Sequence, residues 1–270
     1  KKQPRNQTDL SSFISSSSVS LPISSAAKKK KKKKKMRPKL VLFGDSITEE
    51  SFCDGGWGAA LAHQFARSAD VVLRGYSGYN TRWALRVAAR AMEGAGDAPA
   101  AVTVFFGAND AALPDRSSWF QHVPLDEYQR NLRSIHSFLK ERWPSAVVIL
   151  ITPPPIDEDG RLQYPYTDGP SGLPERTNES AGAFAKACVA VAKELGVPYI
   201  DLWTKMQQFP DWEKSFLRDG LHFTPRGNRV LFEEVVQALK GVGLSLESLP
   251  VDLPLFSDVD PKDPLKSFDN

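Results

Sequence analysis

The sequence predicts an α/β protein in which a parallel sheet is covered by helices on both faces. Three observations carry that expectation. Short apolar, β-branched segments recur along the chain, each continuous rather than alternating in apolar character, as strands buried on both faces are. Longer helical segments lie between them, the rhythm of βαβ units. The first three apolar segments each run into a turn rich in Gly, Asp, Ser or Asn, which places polar groups at one edge of such a sheet.

The elements follow in order. Strand segments are expected at Leu40–Phe43, Val71–Arg74, Val102–Phe106, Val147–Ile151 and Val197–Leu202. Helices are expected at Trp57–Ser68, Thr81–Met92, Leu125–Arg142 and Pro174–Leu195, and in the third Leu132, Ile135, His136 and Leu139 mark one face. A last helix spans about Pro225–Lys240, with Pro225 in its first turn and Thr224 as its N-cap. Pro153–Ser180 interrupts the rhythm. It opens Thr-Pro-Pro-Pro, carries Asp-Gly and Gly-Pro turns with Tyr164 and Tyr166, and leaves the carboxyl end of the fourth strand. A connection of that length in a compact domain is often functional, here as one wall of a site; the alternative is a surface excursion whose tyrosines pack on the body.

Composition bounds the rest. The chain has 270 residues, 41% hydrophobic and 25% charged, enough for one large α/β domain or two small ones. No second domain and no internal repeat is visible. Residues 1–35 are Ser- and Lys-rich, include eight consecutive lysines (Lys28 through Lys35), and are expected to be disordered. They read as a plastid transit segment, as a basic membrane-surface tail, or as added or upstream translated sequence before a start at Met36. The domain is expected over residues 36–240, and residues 241–270 as an extended Pro/Asp-rich tail lying along it. Residues 1–35 hold 11 of the 35 basic residues and 1 of the 32 acidic ones, which leaves 24 against 31. The remainder is therefore acidic despite a formal net charge of +3, which argues against nucleic-acid binding by the globular part. Cys53 and Cys188 are far apart, form no disulfide framework, and point to a reducing, cytoplasmic setting, with plastid or secreted alternatives if the first residues are a native targeting segment. No apolar run is long enough to span a membrane. Oligomeric state is open.

The chemistry gathers at the strand ends. Leu40-Val41-Leu42-Phe43-Gly44-Asp45-Ser46 reads as a buried strand running into a turn and a helix cap, which leaves Ser46 with an exposed hydroxyl beside helix-type N–H groups. Gly78 follows the second strand and Asn109 the third, so all three fall at one edge of a parallel sheet. Asp219-Gly220-Leu221-His222 sets a carboxylate three residues before an imidazole, in a loop before the last helix. These are the parts of a serine hydrolase: a hydroxyl, a base, an orienting carboxylate and donors for an oxyanion. Ser46, Asp219 and His222 are the candidate catalytic residues. The backbone N–H groups of Ser46 and Gly78 and the Asn109 amide are the candidate oxyanion donors. Phe52, Trp57, Phe106, Trp119 and Leu221 are candidates to line an acyl or alcohol pocket, or else are core. His63, His122 and His136 have no spacing that suggests a metal, and Asp110 reads as support for its loop. There is no Gly-x-Ser-x-Gly nucleophile elbow.

The chain resembles the GDSL-type esterases of the SGNH hydrolase superfamily. Gly44-Asp45-Ser46 resembles the first sequence block, Gly78 the second, Gly107-Ala108-Asn109-Asp110 the third and Asp219-Gly220-Leu221-His222 the fifth. Within the superfamily it is most similar to the isoamyl-acetate-hydrolysing esterase group, particularly its plant members, through Gly55-Gly56-Trp57-Gly58, Arg74-Gly75-Tyr76-Ser77-Gly78-Tyr79-Asn80, Thr152-Pro153-Pro154-Pro155 and Leu173-Pro174-Glu175-Arg176. Ile47 stands where the family's name has leucine. The resemblance covers about Met36 to Phe268. It implies a flavodoxin-like, three-layer α/β/α fold with a five-stranded parallel sheet, no metal and no cofactor, and hydrolysis of carboxylic esters, short-chain acyl or acetyl esters among them, through an acyl-enzyme. Two other readings use the same parts: an acyltransferase with an alcohol or sugar acceptor, and a non-enzymatic ligand-binding module on the same fold.

Overall fold

The computed structural model describes residues 37–165 and 172–269. The expected disorder of residues 1–35, and Tyr166, lie outside them. Five strands, β1 (Lys39–Gly44), β2 (Asp70–Gly75), β3 (Ala101–Phe105), β4 (Val147–Ile151) and β5 (Tyr199–Ile200), form one parallel sheet in the order β2-β1-β3-β4-β5. This is the doubly wound, flavodoxin-like order, and the chain changes direction across the sheet between β1 and β3.

Each strand sends alternate side chains to opposite faces, and each face has its own core. Leu40, Leu42, Ala101, Phe105, Ile149, Ile151 and Ile200 pack against α2 (Trp57–Gln64), α7 (Leu202–Met206), α8 (Trp212–Phe216) and α9 (Pro225–Gly241). Val41, Phe43, Val102, Val104, Val148 and Leu150 pack against α3 (Thr81–Ala91), α4 (Leu125–Arg142) and α6 (Asn178–Leu195). Apolar side chains on both faces are what a parallel sheet between helical layers requires, and the continuous apolar strands record it.

The expected elements are present, with ends set by local chemistry. The second helix stops at Gln64, and the following turn holds Arg67 at φ 70°. The helix expected from Pro174 begins at Asn178, because the Thr177 side chain accepts from the Ser180 N–H at 3.1 Å and caps it there. The last strand shrinks to Tyr199–Ile200: Asp201 accepts from the Thr204 N–H and turns the chain into α7. The Pro153–Ser180 segment is not free of regular structure; it contains the short helix α5 (Glu158–Gln163). Two more short helices, α1 (Ser46–Glu49) and α8, were too brief to give a periodic signal.

After α9 the chain keeps contact with the body. Leu244 and Leu249 pack against the α2/α9 core. Asp252 pairs with Arg37 and Arg67, and Arg67 Nη2 donates to the Leu253 carbonyl at 2.7 Å. Among the described residues no helix is long and apolar enough to cross a membrane.

Thr224 ties the last helix to the loop before it. Its hydroxyl accepts from the Gly227 N–H at 3.2 Å and donates to the Ser215 carbonyl at 2.6 Å. Thr224→Ala is therefore expected to cost about 1 kcal/mol in urea unfolding, the usual value of an N-cap. An unchanged midpoint would show that the cap contributes nothing.

Candidate active site

The site is built at the carboxyl ends of β1 and β3, where open α/β sheets place their crevice. Gly44 ends β1 and permits its close approach to the neighbouring segments. A Cβ there would lie 2.0 Å from Thr48 Oγ1 and 2.7 Å from the Phe105 carbonyl oxygen, so no side chain fits. Asp45 then caps α1, its Oδ1 accepting from the Ile47 N–H at 3.1 Å. Ser46 is the first residue of α1, where a backbone N–H has no partner inside the helix and the helix dipole favours negative charge.

Ser46 Oγ lies 3.0 Å from His222 Nε2, across 176 positions of sequence. His222 Nδ1 lies 2.7 Å from Asp219 Oδ2. A carboxylate only accepts, so Nδ1 carries the proton and Nε2 presents its lone pair to the serine hydroxyl. Asp219 Oδ1 accepts from the backbone N–H groups of Leu221 (3.0 Å) and His222 (2.8 Å), which folds the loop around its own carboxylate. Burial works against ionisation of Asp219, but the His222 ring and those two N–H groups outweigh it and hold the carboxyl well below the usual carboxylate range. Hydroxyl, imidazole and carboxylate thus stand in series with the protons arranged for general-base activation of the serine.

The loops after β2 and β3 close on the same edge. The Ser77 N–H donates to Glu49 Oε2 at 2.8 Å, which fastens the Gly78 turn to α1. Asn109 Nδ2 donates to the Tyr79 carbonyl at 2.9 Å, and its Oδ1 accepts from Arg176 Nη2 at 2.9 Å. The cation and the carbonyl between them fix which end of the amide is which, and one Nδ2 hydrogen remains for another acceptor. Gln121 Nε2 donates to the Gly78 carbonyl at 2.9 Å. The sequence reading identified Gly78 and Asn109 but missed Gln121 and Arg176. Arg176 lies in a motif that carries the family resemblance, yet nothing in its spacing pointed to Asn109.

The expected pocket residues separate. Trp57 and Phe106 are fully buried, each in one of the two cores. Trp57 donates from Nε1 to the Ile47 carbonyl at 3.0 Å, and Phe106 packs edge-on to Phe43 at 4.8 Å between centroids. Leu221 is buried as well, with its side chain in the α2/α9 core. Phe52 and Trp119 are exposed, so their surfaces are free for a ligand. His122 Nδ1 lies 2.6 Å from the Ala112 carbonyl, a structural bond. Among the described residues no cluster of His, Cys, Asp and Glu has the makings of a metal site.

Two carboxyl groups lie beneath the crevice. Asp110, expected to support its own loop, accepts from the Thr81 N–H and hydroxyl and so holds the start of α3. Burial pushes both Asp45 and Asp110 up to about 7, against the hydrogen bonds that favour their charged forms. Asp45 Oδ2 has no hydrogen-bond partner among the described residues.

A parallel α/β sheet with a serine–imidazole–carboxylate series at its switch point defines the general class. Comparison with known proteins gives the family. Residues 42–230 match the GDSL-like Lipase/Acylhydrolase family. A GDSL esterase/lipase of Arabidopsis thaliana is 66% identical over 238 residues, spanning 87% of this chain and 99% of that protein. The human isoamyl acetate-hydrolyzing esterase 1 homolog is 45% identical over 225 residues, spanning 82% of this chain and 88% of that protein. A lipase/acylhydrolase from Enterococcus faecalis superposes with a TM-score of 0.59 at 29% identity, over 76% of this chain and 96% of that one. The chain belongs to the GDSL-like lipase/acylhydrolase family and is a carboxylic ester hydrolase.

The buried carboxyls carry a pH signature. A group whose pKa is raised on folding binds protons in the folded state that the unfolded chain has released, so stability falls as pH rises from the unfolded value to the folded one. For Asp110 that window runs from 3.8 to about 7. Asp110→Asn keeps an acceptor for Thr81 and removes the titration. The mutant's Tm is expected to decline less between about pH 4 and 7 than the wild type's. Parallel Tm–pH curves would show that Asp110 does not titrate there.

Proposed function

We propose that the chain hydrolyses carboxylic esters through an acyl-enzyme on Ser46. The single observation that carries this reading is the 3.0 Å contact between Ser46 Oγ and His222 Nε2, with Asp219 on the far nitrogen. His222 Nε2 takes the hydroxyl proton as Oγ bonds to the ester carbonyl carbon. Asp219 holds the imidazole tautomer and stabilises the imidazolium that forms. The carbonyl oxygen becomes an oxyanion and takes donors from the N–H groups of Ser46 and Gly78 and from the Asn109 amide. Collapse of that intermediate breaks the carbon–oxygen bond to the alcohol, which leaves with the proton from His222. Water, activated by the same imidazole, then releases the acid and restores Ser46.

For the substrate we propose small acyl esters of simple alcohols. The name of the 45%-identical human relative supports that class. Trp57 and Phe106 are committed to the core, so of the aromatic candidates Phe52 and Trp119 are the ones with surface free to meet the apolar part of an ester.

Ser46→Ala is expected to abolish turnover of p-nitrophenyl acetate while leaving the unfolding midpoint near the wild-type value. Wild-type rates in that mutant would reject the acyl-enzyme. Asp219→Asn frees the imidazole to adopt the wrong tautomer, and kcat is expected to drop on the order of 10⁴-fold. Product analysis with a competing alcohol present separates hydrolysis from acyl transfer: acid should dominate over new ester.

A further inference from the structure

Three charged side chains are buried behind the site. Arg161, Glu175 and Arg176 are 4%, 2% and 3% exposed. Buried ions are weak contributors to stability, because desolvation offsets most of their attraction. What this cluster does is set by where its remaining donors point.

Glu175 Oε1 accepts from Arg161 Nε and from Arg176 Nη1, both at 2.8 Å. Arg161 Nη1 donates to the Asp219 carbonyl at 3.0 Å and lies 3.6 Å from Asp219 Oδ1. The Asp219 loop is pressed against this arginine's helix: a Cβ on Gly220, at φ 85°, would lie 2.3 Å from the Asp157 carbonyl oxygen and 2.6 Å from the Arg161 nitrogen. Arg176 faces the opposite way. Its Nε donates to the Ala108 carbonyl at 2.8 Å, and its Nη2 donates to Asn109 Oδ1 at 2.9 Å and Gln121 Oε1 at 2.7 Å. Gln121 in turn bonds the Gly78 carbonyl. One continuous chain of hydrogen bonds, charge-assisted except for the last link from Gln121 to Gly78, therefore joins the Asp219 loop to Asn109 and to the Gly78 turn.

We infer that Arg176, held in place by Glu175 and Arg161, is the positioning residue of the oxyanion donors. The inference rests on the proposed acyl-enzyme reading and deepens it. Arg176 touches no reacting atom. It acts through Asn109, whose Oδ1 it engages, so that the amide points its free N–H at the crevice. A cation on the carbonyl end also polarises the amide and strengthens that N–H as a donor. Through Gln121 it sets the height of the Gly78 turn by the same means. A planar guanidinium supplies Nε, Nη1 and Nη2 to separate acceptors at once; an ammonium on a flexible stem does not.

Ester turnover by the wild-type protein and its loss in Ser46→Ala are measured first and test the parent reading alone. Arg176→Lys then keeps the charge and loses the fork. Its kcat is expected to fall on the order of 10²-fold, the scale of a small misplacement at a reacting centre, with KM little changed. The decisive readout is the cycle with Asn109→Ala. If Arg176 acts through Asn109, Arg176→Lys adds little further loss in the Asn109→Ala background. Wild-type kcat in folded Arg176→Lys, or two losses that simply multiply, overturns the assignment. Should Arg176→Lys fail to fold, Gln121→Met cuts the branch from Arg176 to the Gly78 turn and leaves Asn109 engaged. A lowered kcat with KM little changed supports the inference, and an unchanged kcat overturns it.

Discussion

The molecule depends on the junction where β1 stops. Gly44 has no side chain, and that absence lets the backbone turn under the end of β3 and start α1 within one residue. Register makes the constraint tighter. Gly44 lies opposite Gly75 of β2 and Phe105 of β3, so three strand ends meet at one level. Every loop that leaves those ends must share the same small volume. The Asp45 N–H bonds the Phe105 carbonyl at 3.4 Å and the Tyr76 N–H bonds the Gly44 carbonyl at 2.9 Å, so the loops are fastened to one another at their first residues.

Carboxyl groups around the site show how environment divides one chemical type into different roles. Asp219 is half-exposed, faces an imidazole and two backbone N–H groups, and stays ionised. Asp45 and Asp110 are wholly buried, and burial raises them toward neutrality. His222 and then Arg176 act on the buried Asp45. Both favour the ionised form of that carboxyl, while burial lowers the pKa of Arg176 itself. The polar interior beneath the crevice is therefore one coupled electrostatic unit, in a medium where each charge acts more strongly than at the surface.

Family membership and geometry bear on different links of the argument. The matched relatives share most of their length with this chain and define it as an ester hydrolase of the GDSL-like family. The route by which Ser46 would act is read from three side chains in bonding reach and from the helix end that exposes the serine N–H. The buried ion chain is read from geometry alone, since it depends on residues whose type is common and whose placement is not.

The sequence by itself determined the layer order, because strands buried on both faces are apolar almost throughout and a helix covering them must be amphipathic. It also singled out Ser46, Asp219 and His222 as candidates, since several blocks fall in order at strand ends, and the structure brings the three within bonding reach. Tertiary structure alone decided the rest. Trp57 and Phe106 could be pocket walls or core from the sequence, and packing places both in the core, because burial of a large side chain depends on what packs above it. α5 was too short to show a period. Glu175 and Arg176 stood out only as part of a family motif, and Arg161 not at all; only when β3, α5 and the Asp219 loop come together do they lose water, and a charge without water must find a partner.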